Sequence, residues 1–238
     1  MTLARAPQAP GRFPTTCWSQ ILGAQRHEPA RETVLQELLA RYWKPVYCYV
    51  RRKGLSADAA QDAVQGLFVQ LLERDFLQRL DPGRGSFRSF LRKAADHYLI
   101  NQHACSTAQK RGGRLRVVAL DPRVAEEVLA AAPVDPGAAF DREWALSVME
   151  RALGRLRSEY ESGERRGNAD TVLAFFGLGE VRSYAQAAAE CGMTPSQFKA
   201  ALHRARTRFR DILNEEVDET VDGGAEMELR QLFEALAC

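Results

Sequence analysis

Long apolar runs, paired cysteines and a signal-peptide core are all lacking in this sequence. No apolar stretch approaches the roughly 20 residues that a membrane-spanning helix needs. The first residues, MTLARAPQAPGRFP, have no apolar core of the signal-peptide kind. The five cysteines are scattered and form no CxxC pair, which argues against a disulfide framework and a zinc knuckle. We therefore expect a cytoplasmic protein with no membrane attachment.

Motifs of metal and phosphate chemistry are also lacking. The four histidines form no HExxH pattern, and no two of them are four residues apart. His103 and Cys105 are two residues apart, which is a poor geometry for binding one metal ion from a helix. The sequence contains no GxxxxGK[ST] phosphate-binding loop. We therefore expect no catalytic residues, no metal site and no cofactor.

Charge is nearly balanced overall, at +2, but it is unevenly distributed. Residues 84–116 contain eight basic side chains and one acid, and residues 194–210 contain five basic side chains and no acid. Acidic residues are concentrated at 58–75, with four acids against one arginine, and at 211–238, with nine against one. Two basic segments on amphipathic helices indicate a chain that meets a polyanion at two places.

Apolar residues recur at helical spacing through most of the chain, and no useful alternating strand pattern is present. A first helix is predicted at 32–53, kinked at Pro45 and ended by Gly54, and Ser56 can cap a second helix. The sequence predicts an all-α fold of two small helical domains joined by a flexible linker that holds one short helix. The expected order is an N-terminal leader at 1–30, a first domain at 31–113, a linker at 114–139, a second domain at 140–213 and an acidic extension at 214–238.

The sharpest local pattern lies between Ser183 and Arg210. Ser183 to Gln186 is a capping box that opens a short alanine-rich helix, and a turn with Gly192 follows. A second capping box from Thr194 opens an amphipathic helix with a basic face. This arrangement is typical of a helix-turn-helix unit that binds duplex DNA, although an ordinary corner of two helices has the same spacing. The candidate DNA-contacting residues of its exposed face are Gln197, Lys199, His203, Arg204, Thr207 and Arg208.

With these residues in view, the chain resembles the bacterial RNA polymerase sigma factors of the sigma-70 family, extracytoplasmic-function (ECF) group. The resemblance covers two segments, 31–113 and 140–213. In the first segment, DAVQGLF at 62–68 and FRSFL at 87–91 match an acidic and a basic helix of the family. In the second segment, SYAQAA and KAALHRAR match the two helices of its helix-turn-helix. Gly66 departs from the pattern, because the family often has glutamate there.

The resemblance implies a role for each charged segment. The acidic helix is expected to bind the clamp helices of the largest polymerase subunit through Asp58, Asp62, Gln65 and Phe68. The basic helix is expected to contact the −10 promoter element through Arg88, Arg92, Lys93, Asp96, His97 and Asn101. The helix-turn-helix is expected to read the −35 element and to lie near the polymerase flap region. The implied partners are core RNA polymerase, promoter DNA and an anti-sigma factor or regulatory kinase.

Two other classes of protein compete with this interpretation. A helix-turn-helix regulator that acts without polymerase explains residues 194–210, but it explains neither the acidic helix at Asp62 nor the basic helix at Phe87. Binding to purified core polymerase separates it from a sigma factor. A helical nuclease or metalloenzyme is the third class, and the missing motifs argue against it.

The acidic extension contains a predicted amphipathic helix with Leu229, Leu232, Phe233 and Leu236 on its apolar side. One hypothesis is that this helix lies over Arg204, Arg206, Arg208 and Arg210 and competes with DNA phosphates. The alternatives are a solvated extension and a helix that completes the core of the second domain.

Overall fold

The computed structural model describes residues 28–71, 86–105, 122–131, 134–163, 168–177, 182–218 and 225–237. Within these ranges the regular structure is helical and no strand occurs, so the predicted all-α class is confirmed. No helix in the described ranges is long and apolar enough to cross a membrane.

Three helices form the first part of the described chain: α1 at Glu28–Arg52, α2 at Ala57–Leu71 and α3 at Phe87–Cys105. Helix α1 remains one helix through Pro45. It ends where Gly54 takes a positive φ of 99°, which costs glycine little. The Oγ atom of Ser56 accepts a hydrogen bond from the backbone N–H of Ala59 at 3.3 Å, so the predicted cap of α2 is formed.

Helices α4 at Pro122–Ala131 and α5 at Pro136–Ser162 follow. Helix α4 lies within the expected linker and packs against α1, where Nη2 of Arg51 donates to Oε2 of Glu126 at 2.9 Å. The described helix of the expected linker is therefore packed against α1. Asp135 caps α5 by accepting a hydrogen bond from the N–H of Ala138 at 2.7 Å.

Helix α5 is the central element of the fold. It packs against α1 and also against the helices of the C-terminal half. As a result, one continuous core contains Phe68, Phe87, Trp144 and Ile212, all of them buried. Both halves of the described chain thus share a hydrophobic core.

The C-terminal half contains α6 at Ala169–Leu173, a 3-10 turn at Ala174–Phe176, α7 at Tyr184–Glu190, α8 at Pro195–Asp218 and α9 at Ala225–Ala237. Helices α6, α7 and α8 enclose a second, smaller core of Val172, Ala187, Ala188, Phe198, Leu202 and Ala205. Helix α8 continues past Leu213, and its last turns lie on α5. There Oε2 of the buried Glu216 accepts a hydrogen bond from Nε of Arg151 at 2.8 Å.

Candidate nucleic-acid interface

The turn between α7 and α8 has the geometry that its sequence predicts. Ser183 and Gln186 form the complete reciprocal capping box at the start of α7. Gly192 takes φ +64°, and the N–H of Met193 donates to the carbonyl of Ala188 at 2.8 Å. Because only glycine adopts this backbone conformation easily, Gly192 fixes how α8 leaves the turn.

The second capping box, at the start of α8, is also formed. The backbone N–H of Gln197 donates to Oγ1 of Thr194 at 3.3 Å. In return, Oε1 of Gln197 accepts from the N–H and Oγ1 of Thr194 at 2.9 and 3.1 Å. The side-chain carbonyl of this candidate DNA contact is therefore engaged in holding the helix start.

One face of α8 is exposed and basic, and the opposite face is buried. Phe198 and Leu202 lie in the small core. Nζ of Lys199 lies 5.5 Å from the ring centroid of Tyr184, a cation–π contact between the two helices of the unit. The predicted −35 residues that lie exposed on this face are Gln197, Lys199, His203, Arg204 and Thr207.

Arg208 differs from the other candidate −35 residues because two carboxylates hold it. Its Nη2 and Nε atoms donate to Glu159 of α5 at 2.6 and 2.9 Å, and Nη1 donates to Glu215 at 3.1 Å. The hydrogen bond from Arg208 lowers the pKa of Glu159, and the same bond raises the pKa of Arg208. Glu159 and Glu215 therefore compete with a phosphate for the N–H groups of Arg208.

The described part of the basic segment 84–116 lies on α3, and its two arginines, Arg88 and Arg92, are turned toward α5. Arg88 is only 4% exposed, and its Nη1 donates to Oδ1 of Asp141 at 2.7 Å. Nη1 of Arg92 donates to the other oxygen of Asp141 at 3.0 Å. Arg88 is therefore not placed for the predicted −10 contact in this arrangement.

The other predicted −10 residues of α3 lie nearer to solvent. Lys93, His97 and Asn101 are exposed and follow one another at intervals of four residues, so they share one face of the helix. Asp96 borders this face. It accepts a hydrogen bond from the Tyr49 hydroxyl at 2.9 Å and pairs with Lys53 at 3.1 Å.

A cleft of about 550 Å³ opens beside this face, between the end of α1, α3 and the start of α5. Burial raises the pKa of the Tyr49 hydroxyl, and the hydrogen bond to Asp96 adds to this effect. Tyr49 and Lys53 were missed as candidate site residues, because helical periodicity does not indicate which residues of α1 and α3 meet. The lining residues are Tyr49, Lys53, Ser89, Arg92, Lys93, Asp96, Asp135, Pro136 and Gly137.

The predicted polymerase-binding residues of α2 divide into two groups. Asp58 and Asp62 are exposed and Gln65 is half-buried, all along one face of the helix. Phe68 is fully buried in the main core. The expectation that Phe68 contacts polymerase is therefore corrected, because its ring is enclosed in the main core and does not reach the surface.

The described chain thus combines a capped helix-turn-helix with a second basic helix, which defines a DNA-binding protein. A family model described as ECF sigma factor matches residues 37–215 of the 238. The chain belongs to the ECF sigma factor family. This family comprises non-enzymatic, promoter-specific initiation factors, and it implies core RNA polymerase and promoter DNA as partners. Comparisons with curated proteins and with solved structures gave no match.

Proposed function

We propose that the chain directs core RNA polymerase to promoters by contacting both the −35 and the −10 element and by assisting strand separation. The observation that carries this proposal is the exposed basic face of α8 in a doubly capped helix-turn-helix. A stand-alone regulator needs only that unit. The acidic α2 and the basic α3 supply the two further surfaces that an initiation factor needs.

At the −35 element, the first turns of α8 enter the major groove of duplex DNA. Lys199, His203 and Arg204 present donors to base edges, and arginine can bond two acceptors of one guanine. Thr207 lies one turn further along and donates its hydroxyl to the carbonyl of His203 at 3.2 Å, which leaves its methyl group and oxygen for DNA. Arg208 serves a phosphate in competition with Glu159 and Glu215.

At the −10 element, α3 binds the unpaired strand. Lys93 neutralises a phosphate, while His97 and Asn101 offer donors and acceptors to the edges of unstacked bases. The cleft beside Asp96 and Lys53 gives one base or one phosphate a place next to this face. Because α3 binds the single strand better than the duplex, it shifts the equilibrium of the promoter from paired to separated strands. The difference between the two affinities supplies the free energy.

Polymerase binding is assigned to α2. Asp58, Asp62 and Gln65 form an acidic and polar stripe opposite the buried side of the helix. Such a stripe is complementary to an arginine-rich pair of clamp helices in the largest subunit, and the charges also speed association. The helix-turn-helix unit then lies near the flap region. An anti-sigma factor or a regulatory kinase would act on these same surfaces.

Co-elution with purified core polymerase tests this assignment. Asp62→Lys is expected to weaken core binding about tenfold, because charge reversal turns an attraction into a repulsion. Glu127→Lys is the matched control, since Glu127 is also exposed but lies on α4. Circular dichroism is used to check that both variants keep their helices. A chain that binds duplex DNA but never co-elutes with core polymerase is a stand-alone regulator, and the proposal is then wrong.

A further inference from the structure

The C-terminal helix α9 buries Arg88 of α3. Nε of Arg88 donates to Oε1 of Glu228 at 3.2 Å, and Nη2 donates to the other oxygen of Glu228 and to Oε1 of Gln231. The guanidinium also lies 4.0 Å from the ring centroid of Trp144 on α5. Arg88 and Glu228 are each 4% exposed. A basic side chain of the proposed −10 helix is thus enclosed by acidic and aromatic groups of α5 and α9.

Apolar contacts seat α9 on the rest of the molecule. Leu232 is fully buried in the main core, and Leu229 and Leu236 pack partly against it. The sequence hypothesis that this helix covers the arginines of α8 is wrong for residues 225–237. Helix α9 packs on α5 and the end of α8 and bonds Arg88, while Arg204, Arg206 and Arg210 are exposed.

The contacts of Arg88 exclude a simultaneous contact with DNA. Glu228, Gln231 and Asp141 accept from all three of its nitrogens, and Trp144 covers its flat face. A phosphate oxygen needs the same N–H groups. Arg88 can therefore bind DNA only after α9 has moved away.

Displacement of α9 does not have to overcome a strong ion pair. A buried ion pair adds little net stability, because the cost of desolvating both charges offsets their attraction. The helix has 13 residues, a length at which an isolated helix is marginal in water, so it depends on docking to stay formed. When α9 leaves, Arg88 keeps Asp141 but loses Glu228 and Gln231, so its Nε and Nη2 atoms become available to a competing polyanion.

We infer that α9 is an intramolecular latch, which closes over Arg88 and keeps this basic side chain of α3 from DNA until it is displaced. This inference rests on the proposed role of α3 in binding the −10 strand. In the closed state the chain binds single-stranded DNA weakly. In the open state Arg88 adds a phosphate contact.

Two matched substitutions on α9 test the latch. Leu232→Glu puts a charge into the core and releases the helix, whereas Phe233→Glu adds the same charge at a neighbouring side chain that is 56% exposed. The probe is a fluorescent single-stranded DNA of mixed sequence, since phosphate contacts do not depend on sequence. Affinity is measured over a range of salt concentrations.

Leu232→Glu should bind the probe at least about threefold more tightly at low salt and steepen the log–log salt dependence by about 0.7, the value for one more phosphate on a single strand. Phe233→Glu should keep the wild-type slope. Adding Arg88→Gln to Leu232→Glu should remove the gain. Hydrogen exchange over residues 225–237 should rise in Leu232→Glu and should stay at the wild-type rate in Phe233→Glu.

Leu229→Glu is the second releasing variant, for the case that Leu232→Glu does not fold, because Leu229 packs against the same core. A helix that is released without any gain in affinity or slope contradicts the latch. A helix that stays protected in both variants also contradicts it. Core-polymerase binding is measured on the same preparations. If no preparation, including the wild type, binds core polymerase, the initiation role is refuted. A gain in DNA affinity in the released variant would still support competition between α9 and DNA.

Discussion

The phenol of Tyr98 on α3 occupies the space that a Cβ atom on residue 66 of α2 would need. A Cβ at Gly66 would overlap the hydroxyl of Tyr98 and lie 2.8 Å from its Cζ atom. Nε2 of Gln102 holds the same hydroxyl through a hydrogen bond of 2.9 Å. Gly66 therefore allows α2 and α3 to approach closely, which gives a physical reason for the glycine at this position.

Substitution of Gly66 by alanine tests this packing. Alanine favours a helix by about 1 kcal/mol over glycine, but displacing the Tyr98 ring costs about 1–3 kcal/mol. We expect Gly66→Ala to lower the free energy of unfolding in the wild type and to raise it in a Tyr98→Ala background. Urea denaturation of the wild type, the two single variants and the double variant gives the coupling energy between the two positions. Additive effects would show that the two residues do not compete for space.

Gly192 and Gly154 form a second matched pair. A methyl group added at either position would have free space around it, with no neighbouring group within 4 Å, but only Gly192 has a positive φ. Gly192→Ala should destabilise the protein by about 1 kcal/mol, the cost of a left-handed backbone for an L-residue. Gly154→Ala, within α5, should stabilise it by up to about 1 kcal/mol. Thermal unfolding measures both changes. Melting temperatures that shift in the same direction for the two variants would contradict this account.

Glu216 makes stability depend on pH in the acid range. Burial alone would raise its pKa, but the hydrogen bonds from Arg151 and Arg155 outweigh burial and lower it. A carboxylate whose pKa is lowered by folding stabilises the fold at pH values above its pKa in the unfolded chain. This contribution is lost as the pH falls through its pKa in the folded protein.

We therefore expect Glu216→Gln to cost about 1–3 kcal/mol at pH 7, the range for an unpaired buried hydrogen-bonding group. The cost should shrink as pH falls below about 4.5, the usual pKa of glutamate. Glu150→Gln is the control, because its exposed pair with Lys44 contributes at most about 1 kcal/mol. If the difference in unfolding free energy between wild type and Glu216→Gln stays constant from pH 7 to pH 3, Glu216 is not the source of this pH dependence.

Arg204 and Arg208 should differ in what they read. Arg204→Ala is expected to cost about 1–3 kcal/mol at one base pair of the −35 element and to relax specificity there. Arg208→Ala should weaken all duplexes alike, and by less, because Glu159 and Glu215 compete for Arg208. Selection from a randomised duplex pool measures the change in specificity, and titration of the selected duplexes measures the loss of affinity. The same uniform loss for both variants would contradict this division between base and phosphate contacts.

Features that depend on neighbours in the sequence could be predicted from the residues alone. Ser183 and Thr194 specify two caps through side chains three residues away, Gly192 specifies a turn through its positive φ, and the structure forms all three. Leu232 was placed correctly on the apolar side of its helix by periodicity. Such local chemistry limits the backbone wherever it occurs, so it needs no knowledge of the fold.

Contacts between distant segments could not be predicted in the same way. Arg88 and Glu228 are 140 residues apart, and Tyr49 and Asp96 are 47 apart. Helical periodicity shows which face of a helix is buried but does not identify the helix that covers it. For the same reason, the resemblance to the family placed Arg88 at the −10 element, although α5 and α9 supply acids that accommodate it inside the structure.

Transcription in vitro tests the central claim most directly. Core polymerase is incubated with fragments of the genome that encodes this chain, with and without the purified protein, and the 5′ ends of the transcripts are mapped. The account predicts a set of start sites that appears only with the protein, shares upstream sequences near −35 and −10, and disappears with a Lys199→Ala/Arg204→Ala variant. Identical start sites with and without the protein would contradict it.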